Sequence, residues 1–393
     1  MNSKKYLFII SQPLCHRNRK RWGVDFLNDS GALAGVIDLT KILHPETYRE
    51  FGKRGGVVEA SGINYISPNG YLDLIRFIRN AGEVDYAFDR VNGSLISTFL
   101  RCYLRLKKVK FVGLSGALYP VSKKNDQKSH FFDILKKLRH IKKPNKIINR
   151  ILKFFEGKFI GDDYYVITGL EAEKRNPNKS AKKIFCHAYD FDLFLFEQFP
   201  FDGPKKYIVF IDEDEAGHVD YLTLDYLPSV TVENYFSSLN MFFSLLEKKY
   251  NIPVLIAEHP RAYYSPVQKE NFYYGRVVVH GKTLDLIKNA ALVISHSSTS
   301  IGMAVLFERP IILLATKEIT RNKKRFSEIQ DFSEELGLDI VNADSLTSLE
   351  DFKVRFNINS VLYQDYINKY LKHPKSPDGI YSWEIIMNAL EGS

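Results

Sequence analysis

The sequence predicts an α/β protein with two Rossmann-like domains that face a central cleft. Strand-like apolar runs alternate with helix-like segments along the whole chain, a pattern typical of parallel sheets covered by helices on both faces. A length of 393 residues is sufficient for two domains of ordinary size. The alternation breaks at QFPFDGPKK (198–206), where two prolines and a glycine separate two apolar segments.

The N-terminal domain is predicted over residues 1–198. It opens on a buried strand, YLFIIS (6–11), followed by a polar loop and a helix that begins near Trp22. The further strands are GVIDL (35–39), VDYAFD (84–89), KVKFVGL (108–114) and YYVITG (164–169), and a helix is predicted at YLDLIRFIRNA (71–81).

The C-terminal domain is predicted over residues 206–393, with helices near its end that close the chain. It opens on the strand KYIVFID (206–212), and an amphipathic helix follows at 232–250. The later strands are VLIAE (254–258), LVIS (292–295) and PIILLA (310–315), and the later helices are TLDLIKNA (283–290), SIGMAVLFE (300–308) and an amphipathic tail.

The composition bounds the class of protein. Hydrophobic residues make up 45% of the chain and charged residues 26%, as in a globular protein. Cys15, Cys102 and Cys186 lie far apart without a CxxC pair, which argues against structural zinc and fits a reducing cytoplasm. The first apolar run is too short for a signal peptide, and no apolar run reaches about 18 residues. We therefore expect a cytoplasmic protein without a transmembrane helix.

The net charge of +9 is concentrated in a basic helical insert at 121–160, which holds twelve Lys or Arg against three Asp or Glu. Apolar residues recur there at helical spacing on both sides of Pro144. One interpretation is a cationic surface that binds anionic lipid headgroups, and thus a peripheral association with the inner face of the plasma membrane. The other is a pair of ordinary helices with a solvated basic face. Nucleic acid is not expected, because no binding motif accompanies the charge.

Polar residues follow two strands of the predicted C-terminal domain, where ligands of open α/β sheets bind. The run after LVIS opens a helix, and its N–H and hydroxyl donors suit a phosphate. A helix N-cap is the alternative, although a cap needs fewer polar residues than this run contains. The candidate substrate-binding residues in it are Ser295, His296, Ser297, Ser298, Thr299 and Ser300.

His259 follows the strand VLIAE and precedes Pro260. A histidine here can donate a hydrogen bond or a proton to a departing phosphate, or it can be a satisfied buried side chain. Arg276, Lys282 and Thr283, in the segment GRVVVHGKT, are further candidates for substrate binding because the segment adds positive charge. Ordinary solvated loop residues are the alternative.

Four acids crowd together in IDEDEAGHVDY (211–221), directly after the strand that opens the second domain. Like charges at one place raise at least one pKa, as a general base near neutral pH requires. Asp212, next to the strand, is the first candidate for the base, and Asp214 is the second. A solvated acidic turn is the alternative, and Asp89, Asp190 and Asp192 are comparable candidates in the N-terminal half.

The His-Pro pair at a strand end, followed by a Ser-Ser/Thr turn that opens a helix, resembles GT-B glycosyltransferases of bacterial surface polysaccharide synthesis. The sialyltransferase-like and capsular Kdo-transferase-like groups are the closest in kind, and CDP-glycerol glycerophosphotransferases of teichoic acid synthesis look similar over residues 207–315. The resemblance implies that His259, Ser297 and Ser298, with Thr299 beside them, contact the phosphate and ribose of a cytidine nucleotide. DEDEAG (212–217) resembles the acidic motif whose first acid is the base.

The resemblance implies a metal-independent glycosyltransferase that moves a sugar from a CMP- or UDP-linked donor to a glycan or lipid-linked acceptor of the cell surface, such as lipopolysaccharide or capsule. No cofactor is expected, since the nucleotide-sugar is a substrate. Three alternatives stay open. They are transfer of a polyol phosphate from a CDP-linked donor with His259 as base, a non-catalytic nucleotide-sugar-binding assembly protein, and a nucleotide-sugar epimerase, which would need paired acids in the cleft.

Overall fold

The structure is a computed structural model in which two parallel sheets carry the fold, each covered by helices, and this confirms the predicted class and the two Rossmann-like domains. The basic insert predicted at 121–160 lies outside the described residues, except for Val121. The structure describes residues 4–53, 56–80, 82–91, 94–115, 119–121, 161–176, 178–196, 203–204, 206–218, 221, 228–262, 264–346 and 356–392.

The N-terminal sheet has seven parallel strands in the order β3-β2-β1-β4-β5-β6-β7. They are β1 Tyr6–Ile10, β2 Leu33–Asp38, β3 Tyr65–Ile66, β4 Tyr86–Asp89, β5 Lys110–Leu114, β6 Tyr164–Ile167 and β7 Lys182–Phe185. All five residues of β1 are buried, because helices cover this central strand on both faces. The strand order reverses between β1 and β4, which opens a crevice at their carboxyl ends.

Eight helices of the described residues accompany this sheet along the chain. They are α1 His16–Arg21, α2 Val24–Asp29, α3 Thr40–Leu43, α4 Pro45–Lys53, α5 Tyr71–Asn80, α6 Leu95–Leu106, α7 Leu170–Arg175 and α8 Tyr189–Phe196. In α6, Ser94 caps the first turn by accepting the N–H of Ser97 at 3.1 Å. Ile96, Leu100 and Leu104 then recur at helical spacing and are buried against the sheet.

The C-terminal sheet has six parallel strands in the order β10-β9-β8-β11-β12-β13. They are β8 Ile208–Ile211, β9 Val254–Glu258, β10 Val278–His280, β11 Leu292–Ser295, β12 Ile311–Ala315 and β13 Ile340–Asn342. The order reverses between β8 and β11. The acidic run after β8 and the serine-rich run after β11 therefore meet at this reversal.

The helices around the second sheet include the predicted amphipathic helix. They are α9 Val232–Tyr250, α10 Pro266–Tyr273, α11 Thr283–Asn289, α12 Ile301–Leu306, α13 Lys317–Arg321, α14 Lys323–Leu336, a 3₁₀ turn Ala343–Ser345, α15 Ser360–Tyr366, a π-helical turn Ile367–Leu371 and α16 Ser382–Glu391. Helix α9 ends where Asn251 takes a left-handed conformation. None of the helices in the described ranges is long and apolar enough to cross a membrane.

Two helices pack on the domain opposite to the one in which the sequence places them. Trp383 of α16 packs on Phe8 and Phe88 of the N-terminal sheet, with ring centroids 5.8 Å and 5.2 Å away. Phe191 and Phe194 of α8 pack against the core of the C-terminal sheet. The strands of the first sheet lie within residues 6–185 and those of the second within residues 208–342, while α8 and α16 each pack on the core of the other sheet.

Candidate functional site

A cavity of about 460 Å³ lies between the two domains. Glu50 and Lys53 of α4 line it from the N-terminal domain. From the other domain come the loops after β8 and β9, which contribute Asp214 and Tyr264 together with residues of α9 and α10. The cavity therefore lies at the carboxyl edge of the second sheet, where an open α/β sheet binds its ligand.

The structure places His259 at this edge, directly after β9. Its backbone N–H donates to Oδ2 of Asp212 at 3.3 Å, and its Nδ1 accepts the N–H of Arg261 at 3.3 Å. A neutral imidazole that accepts at Nδ1 carries its proton on Nε2. Over the part of the chain that the structure describes, Nε2 has no hydrogen-bond partner, so the ring presents one N–H donor for a ligand.

Cationic and aromatic nitrogen groups surround this imidazole. The ring of His218 has its centroid 4.7 Å away, and the guanidinium of Arg261 donates to Nε2 of His218 at 3.2 Å. Burial first, and then the charges of His218, Arg261 and Arg17, hold the pKa of His259 well below its ordinary value. The imidazole is therefore neutral near pH 7.

Arg17 extends this positive region into the N-terminal domain, because it lies in α1 after the first strand. Its side chain is exposed to solvent. Desolvation by surrounding protein, and then the neighbouring Arg21, lower its pKa, while Asp190 opposes them. Cations that lower one another's pKa favour an anion between them.

The serine-rich turn after β11 has its first N–H donors occupied by a carboxylate of the protein. Oε1 of Glu213 accepts the N–H groups of His296 and Ser297, both at 2.9 Å, and the hydroxyl of Ser295 at 3.1 Å. Glu213 thus takes the place that the sequence assigns to a phosphate. A ligand reaches these two N–H groups only if Glu213 leaves them.

Arg325 of α14 fixes Glu213 in this position. Its guanidinium donates to Oε2 of Glu213 at 2.7 Å, to Glu215 at 2.9 Å and to Glu328 at 2.9 Å, and also to the Ser297 hydroxyl. Burial alone would raise the pKa of Glu213, but the charge of Arg325 and the donors of the turn outweigh it and hold that pKa below its ordinary value.

His296 lies behind the turn and is fully buried. Its Nδ1 donates to the carbonyl of Leu314 at 2.7 Å, and its Nε2 accepts the hydroxyl of Tyr235 at 2.8 Å. Burial lowers its pKa. Both ring nitrogens are used within the core, so His296 supports the turn and does not face a ligand.

The last three residues of the run, Ser298, Thr299 and Ser300, are half-buried. The hydroxyl of Ser298 accepts the N–H of Ser300 at 3.2 Å. In the described ranges no group bonds the hydroxyls of Thr299 and Ser300. A ligand can reach these two hydroxyls without displacing Glu213.

The two predicted candidates for the base are both buried, at 2% and 3% exposed for Asp212 and Asp214, but of the two only Asp214 lines the cavity. The oxygens of Asp212 accept the N–H groups of Asp214 at 3.0 Å and His259 at 3.3 Å. Burial raises its pKa to about 7. Asp212 therefore lies beneath the site and positions the loop of His259. Asp214 lines the cavity, where it accepts the Tyr264 hydroxyl at 3.1 Å.

The structure does not bring Arg276, Lys282 and Thr283 to the imidazole of His259. The Arg276 guanidinium bonds Glu247 and Asn240 on α9, each at 2.7 Å. Lys282 is exposed where α11 begins, beyond the edge strand β10, and Thr283 is the first residue of that helix. These three residues thus lie outside the cluster around His259.

Sequence reasoning did not select Arg17, Arg261 or His218, which the structure gathers around His259. Arg261 stands next to the His-Pro pair, and this adjacency is a usable signal. Arg17 belongs to the other domain, in α1, where the sequence predicts only a polar loop after the first strand. Its approach to His259 depends on how the domains pack, which one sequence does not reveal.

Comparisons with solved structures identify the fold. No protein-family model matches the chain, and no curated protein matches it. The wall teichoic acid polymerase TagF matches with a TM-score of 0.55 at 12% identity, covering 99% of this chain and 89% of that chain. A TagF variant soaked with CDPG matches with a TM-score of 0.56 at 11% identity, covering 99% and 88%. The S. aureus MnaA–UDP structure matches with a TM-score of 0.49 at 11% identity, covering 99% and 96%.

Proposed function

We propose that this protein is a GT-B-type transferase that takes a group from a nucleotide-activated donor and adds it to a polymer of the bacterial cell surface. In the form we favour, a sugar moves from a CMP- or UDP-linked donor to a glycan or lipid-linked acceptor. The two-domain fold, with its cavity between the domains, supports a donor bound at the edge of the second sheet.

The observation that carries the proposal is the Nε2–H of His259, which no group among the described residues bonds, within a cluster of cations. Arg261 and His218 stand beside it, and Arg17 approaches from the opposite domain. A phosphate group of the donor bound there receives a neutral N–H donor and two guanidinium charges. Such donors stabilise the negative charge that develops on a leaving phosphate without a bound metal.

In the proposed reaction an acceptor hydroxyl attacks the anomeric carbon of the donor. The bond between that carbon and the phosphate oxygen breaks, and its electron pair passes to the phosphate, which His259 and Arg261 stabilise. Asp214, the candidate carboxylate that lines the cavity, takes the proton of the acceptor hydroxyl. Asp212 acts as a positioning residue, because its carboxylate holds the backbone of His259.

Transfer of a polyol phosphate from a CDP-linked donor is the second candidate. The likeness to TagF, with TM-scores of 0.55 and 0.56, favours it at the level of fold. In this reaction the acceptor hydroxyl attacks phosphorus, and the same cations stabilise the charge on the transferred phosphate. CMP is then the leaving group.

Position-specific labelling separates the two reactions. With a nucleoside diphosphate donor, radioactive phosphorus in the second phosphate stays on the nucleotide after sugar transfer and passes to the acceptor after polyol phosphate transfer. With a CMP-linked sugar, which has one phosphate, that phosphate stays on the nucleotide and the labelled sugar passes to the acceptor. A preceding thermal-shift screen with CMP, CDP, UDP, GDP and their sugars selects the donor, since a bound nucleotide raises the midpoint of unfolding. No shift with any of them would refute the nucleotide site and favour the assembly-protein alternative.

We also propose that the basic insert at 121–160 holds the protein on an anionic membrane surface, where a lipid-linked acceptor is available. The support is its excess of Lys and Arg in the sequence. Flotation with vesicles that contain anionic lipid, compared with neutral vesicles, tests the contact. Failure to float at low salt would remove it from the proposal.

A further inference from the structure

A second group of donors lies in the N-terminal domain, beyond the carboxyl ends of three neighbouring strands. Arg90 follows β4, Ser115 follows β5, and Thr168 follows β6. With Arg21, the last residue of α1, they line a separate cavity of about 70 Å³. This cavity lies next to the reversal of strand order in the first sheet, a position at which open α/β sheets bind ligands.

Arg90 brings an unpaired charge to this cavity. Its half-buried guanidinium stacks on the ring of Trp22, 5.7 Å from the ring centroid. The neighbouring Asp89 binds Arg101 at 3.2 Å instead. Across the described ranges no carboxylate bonds Arg90. Desolvation first, and then the nearby Arg21, lower the pKa of Arg90 to about 10. A partly desolvated cation without a counter-ion favours an anionic ligand.

Arg21 and the two hydroxyls complete the set of donors. The carbonyl of Arg21 accepts the indole N–H of Trp383 at 3.2 Å, which fixes the end of α1 beside the cavity. Its guanidinium forms no ion pair within the described part of the chain. The hydroxyls of Ser115 and Thr168 lie 2.9 Å apart. One of their two protons is used between them, and the other is available to a ligand.

We propose that the cavity lined by Arg21, Arg90, Ser115 and Thr168 binds a phosphate group of the acceptor. This assignment rests on the proposed function, because it concerns the acceptor side of the same transferase. Two guanidiniums and a hydroxyl offer more donors than the two oxygens of a carboxylate need, and they suit the oxygens of a phosphate. The acceptor is accordingly a phosphate-bearing polymer or lipid-linked chain.

The position of Arg21 relates this site to the donor site. Among the charged groups around them, Arg21 has the largest effect on the pKa of Arg17 and also on that of Arg90, and it lowers both. Arg17 in turn lowers the pKa of His259, so a row of electrostatically coupled groups links Arg261 and His259 in one domain, through Arg17 and Arg21, with Arg90 in the other. Such a row accommodates two separate anions, the donor phosphate at one end and the acceptor phosphate at the other.

Calorimetric titration of the full chain tests the site with glycerol phosphate as the probe and uncharged glycerol as its control. We expect glycerol phosphate to bind and glycerol not to bind. Arg90→Gln and Arg21→Gln should each weaken binding of glycerol phosphate about tenfold or more, the usual worth of a charge-assisted hydrogen bond. Arg76→Gln is the matched control: it removes a cation that is 79% exposed in the same domain and should leave binding unchanged.

A second titration, with UDP or CDP, separates this proposal from the proposed function. We expect the nucleotide to bind Arg90→Gln as it binds the unaltered protein, and to bind together with glycerol phosphate. Competition between the two would assign the cavity to the donor and overturn the proposal. Nucleotide binding without glycerol phosphate binding would overturn the acceptor site alone. Glycerol phosphate binding without any nucleotide binding would overturn the transferase and leave the phosphate site intact.

Folding of the variants is checked by their thermal midpoints. If the arginine variants do not fold, Thr168→Val removes a hydroxyl without removing a charge and should weaken glycerol phosphate binding several-fold. Unchanged binding of glycerol phosphate to folded Arg90→Gln and Arg21→Gln would refute the site. If those two variants do not fold, unchanged binding to Thr168→Val would refute it.

Discussion

Glu213 and Arg325 form an ion pair with 2.7 Å between Oε2 and the guanidinium nitrogen, directly beneath the serine-rich turn. The other oxygen of Glu213 accepts the N–H groups of His296 and Ser297. The protein therefore supplies its own anion to the turn, at the place where the sequence favours a nucleotide phosphate. This is why we place the donor phosphate at the Nε2–H of His259, which no group in the described ranges bonds, with the Arg261 guanidinium beside it.

Removal of the Glu213 carboxylate should destabilise the fold strongly. In Glu213→Ala, Arg325 loses its buried partner and two backbone N–H groups lose their acceptor, so we expect the free energy of unfolding to fall by about 3–5 kcal/mol. Urea denaturation measures the loss. Glu328→Ala is the control, because that side chain is 34% exposed and its pair with Arg325 should be worth about 1 kcal/mol or less. Equal losses in the two variants would contradict a structural role for Glu213.

The regular elements of the fold could be predicted where their sequence patterns are long. Helix α9 and strands β9 and β11 have the predicted bounds, because each is a sustained amphipathic or apolar run. The predictions omitted the edge strands. β3 has two residues, and β7 begins with two exposed lysines, Lys182 and Lys183. A strand that short, or buried on one side only, leaves too little periodicity in the sequence.

The sequence predicts only those residues of the site that directly follow a strand. His259 and Asp214 follow strands that neighbour each other in the sheet, and Asp214 lines the interdomain cavity. Arg276 has the charge that a phosphate site needs, but Glu247, 29 positions away, binds it on the far side of α9. Arg17 depends on contact between domains. The pattern of one sequence therefore does not predict which side chains pair across the fold.

Substitution of His259 should affect chemistry more than folding. The His259→Asn variant loses the Nε2–H donor, while its backbone N–H still donates to Asp212, so we expect turnover to fall about 100-fold or more with little loss of stability. Initial rates with a labelled donor measure the effect. His280→Asn serves as control, since His280 lies on the edge strand β10 and pairs with Glu258. Full turnover in His259→Asn would exclude a catalytic role for this imidazole.

Donor binding should be coupled to protonation of His259. The pKa of His259 is lowered in the folded protein, so folding favours the neutral ring. The stability that the neutral His259 ring gives the folded protein is fully present above the pKa of about 6.5 that histidine has in the unfolded chain. It is lost as the pH falls below that value. A bound phosphodiester raises the pKa of His259, because it places an anion beside the ring. Affinity for a UDP-sugar, whose phosphates stay ionised, should therefore rise as the pH falls towards the pKa that His259 has in the complex.

Calorimetry in two buffers of different ionisation enthalpy measures the proton taken up on binding. We expect uptake to increase as pH falls in the unaltered protein and to disappear in His259→Asn. Uptake of the same size in the variant would show that another group titrates and would remove His259 from the phosphate site.

The packing of α16 on the N-terminal domain makes Gly23 a sensitive position. Gly23 has φ +64°, and a Cβ there would overlap the indole ring of Trp383. Gly23→Ala should therefore cost about 1 kcal/mol for its left-handed backbone and about 1–3 kcal/mol more for displacing the indole. Gly31→Ala is a matched control, with φ +67° and no atom within 4 Å of the added Cβ, so it incurs only the backbone cost.

Urea denaturation of the two glycine variants measures the free energy of unfolding that each has lost. In the double variant Gly23→Ala/Trp383→Ala this loss should be much smaller than the sum of the losses in the two single variants. Trp383 also lines the cavity of Arg21 and Arg90. Displacement of its indole in Gly23→Ala should therefore weaken glycerol phosphate binding, whereas Gly31→Ala should not. Equal stability of Gly23→Ala and Gly31→Ala would mean that Trp383 does not pack over Gly23. It would also contradict the packing of α16 on the N-terminal domain.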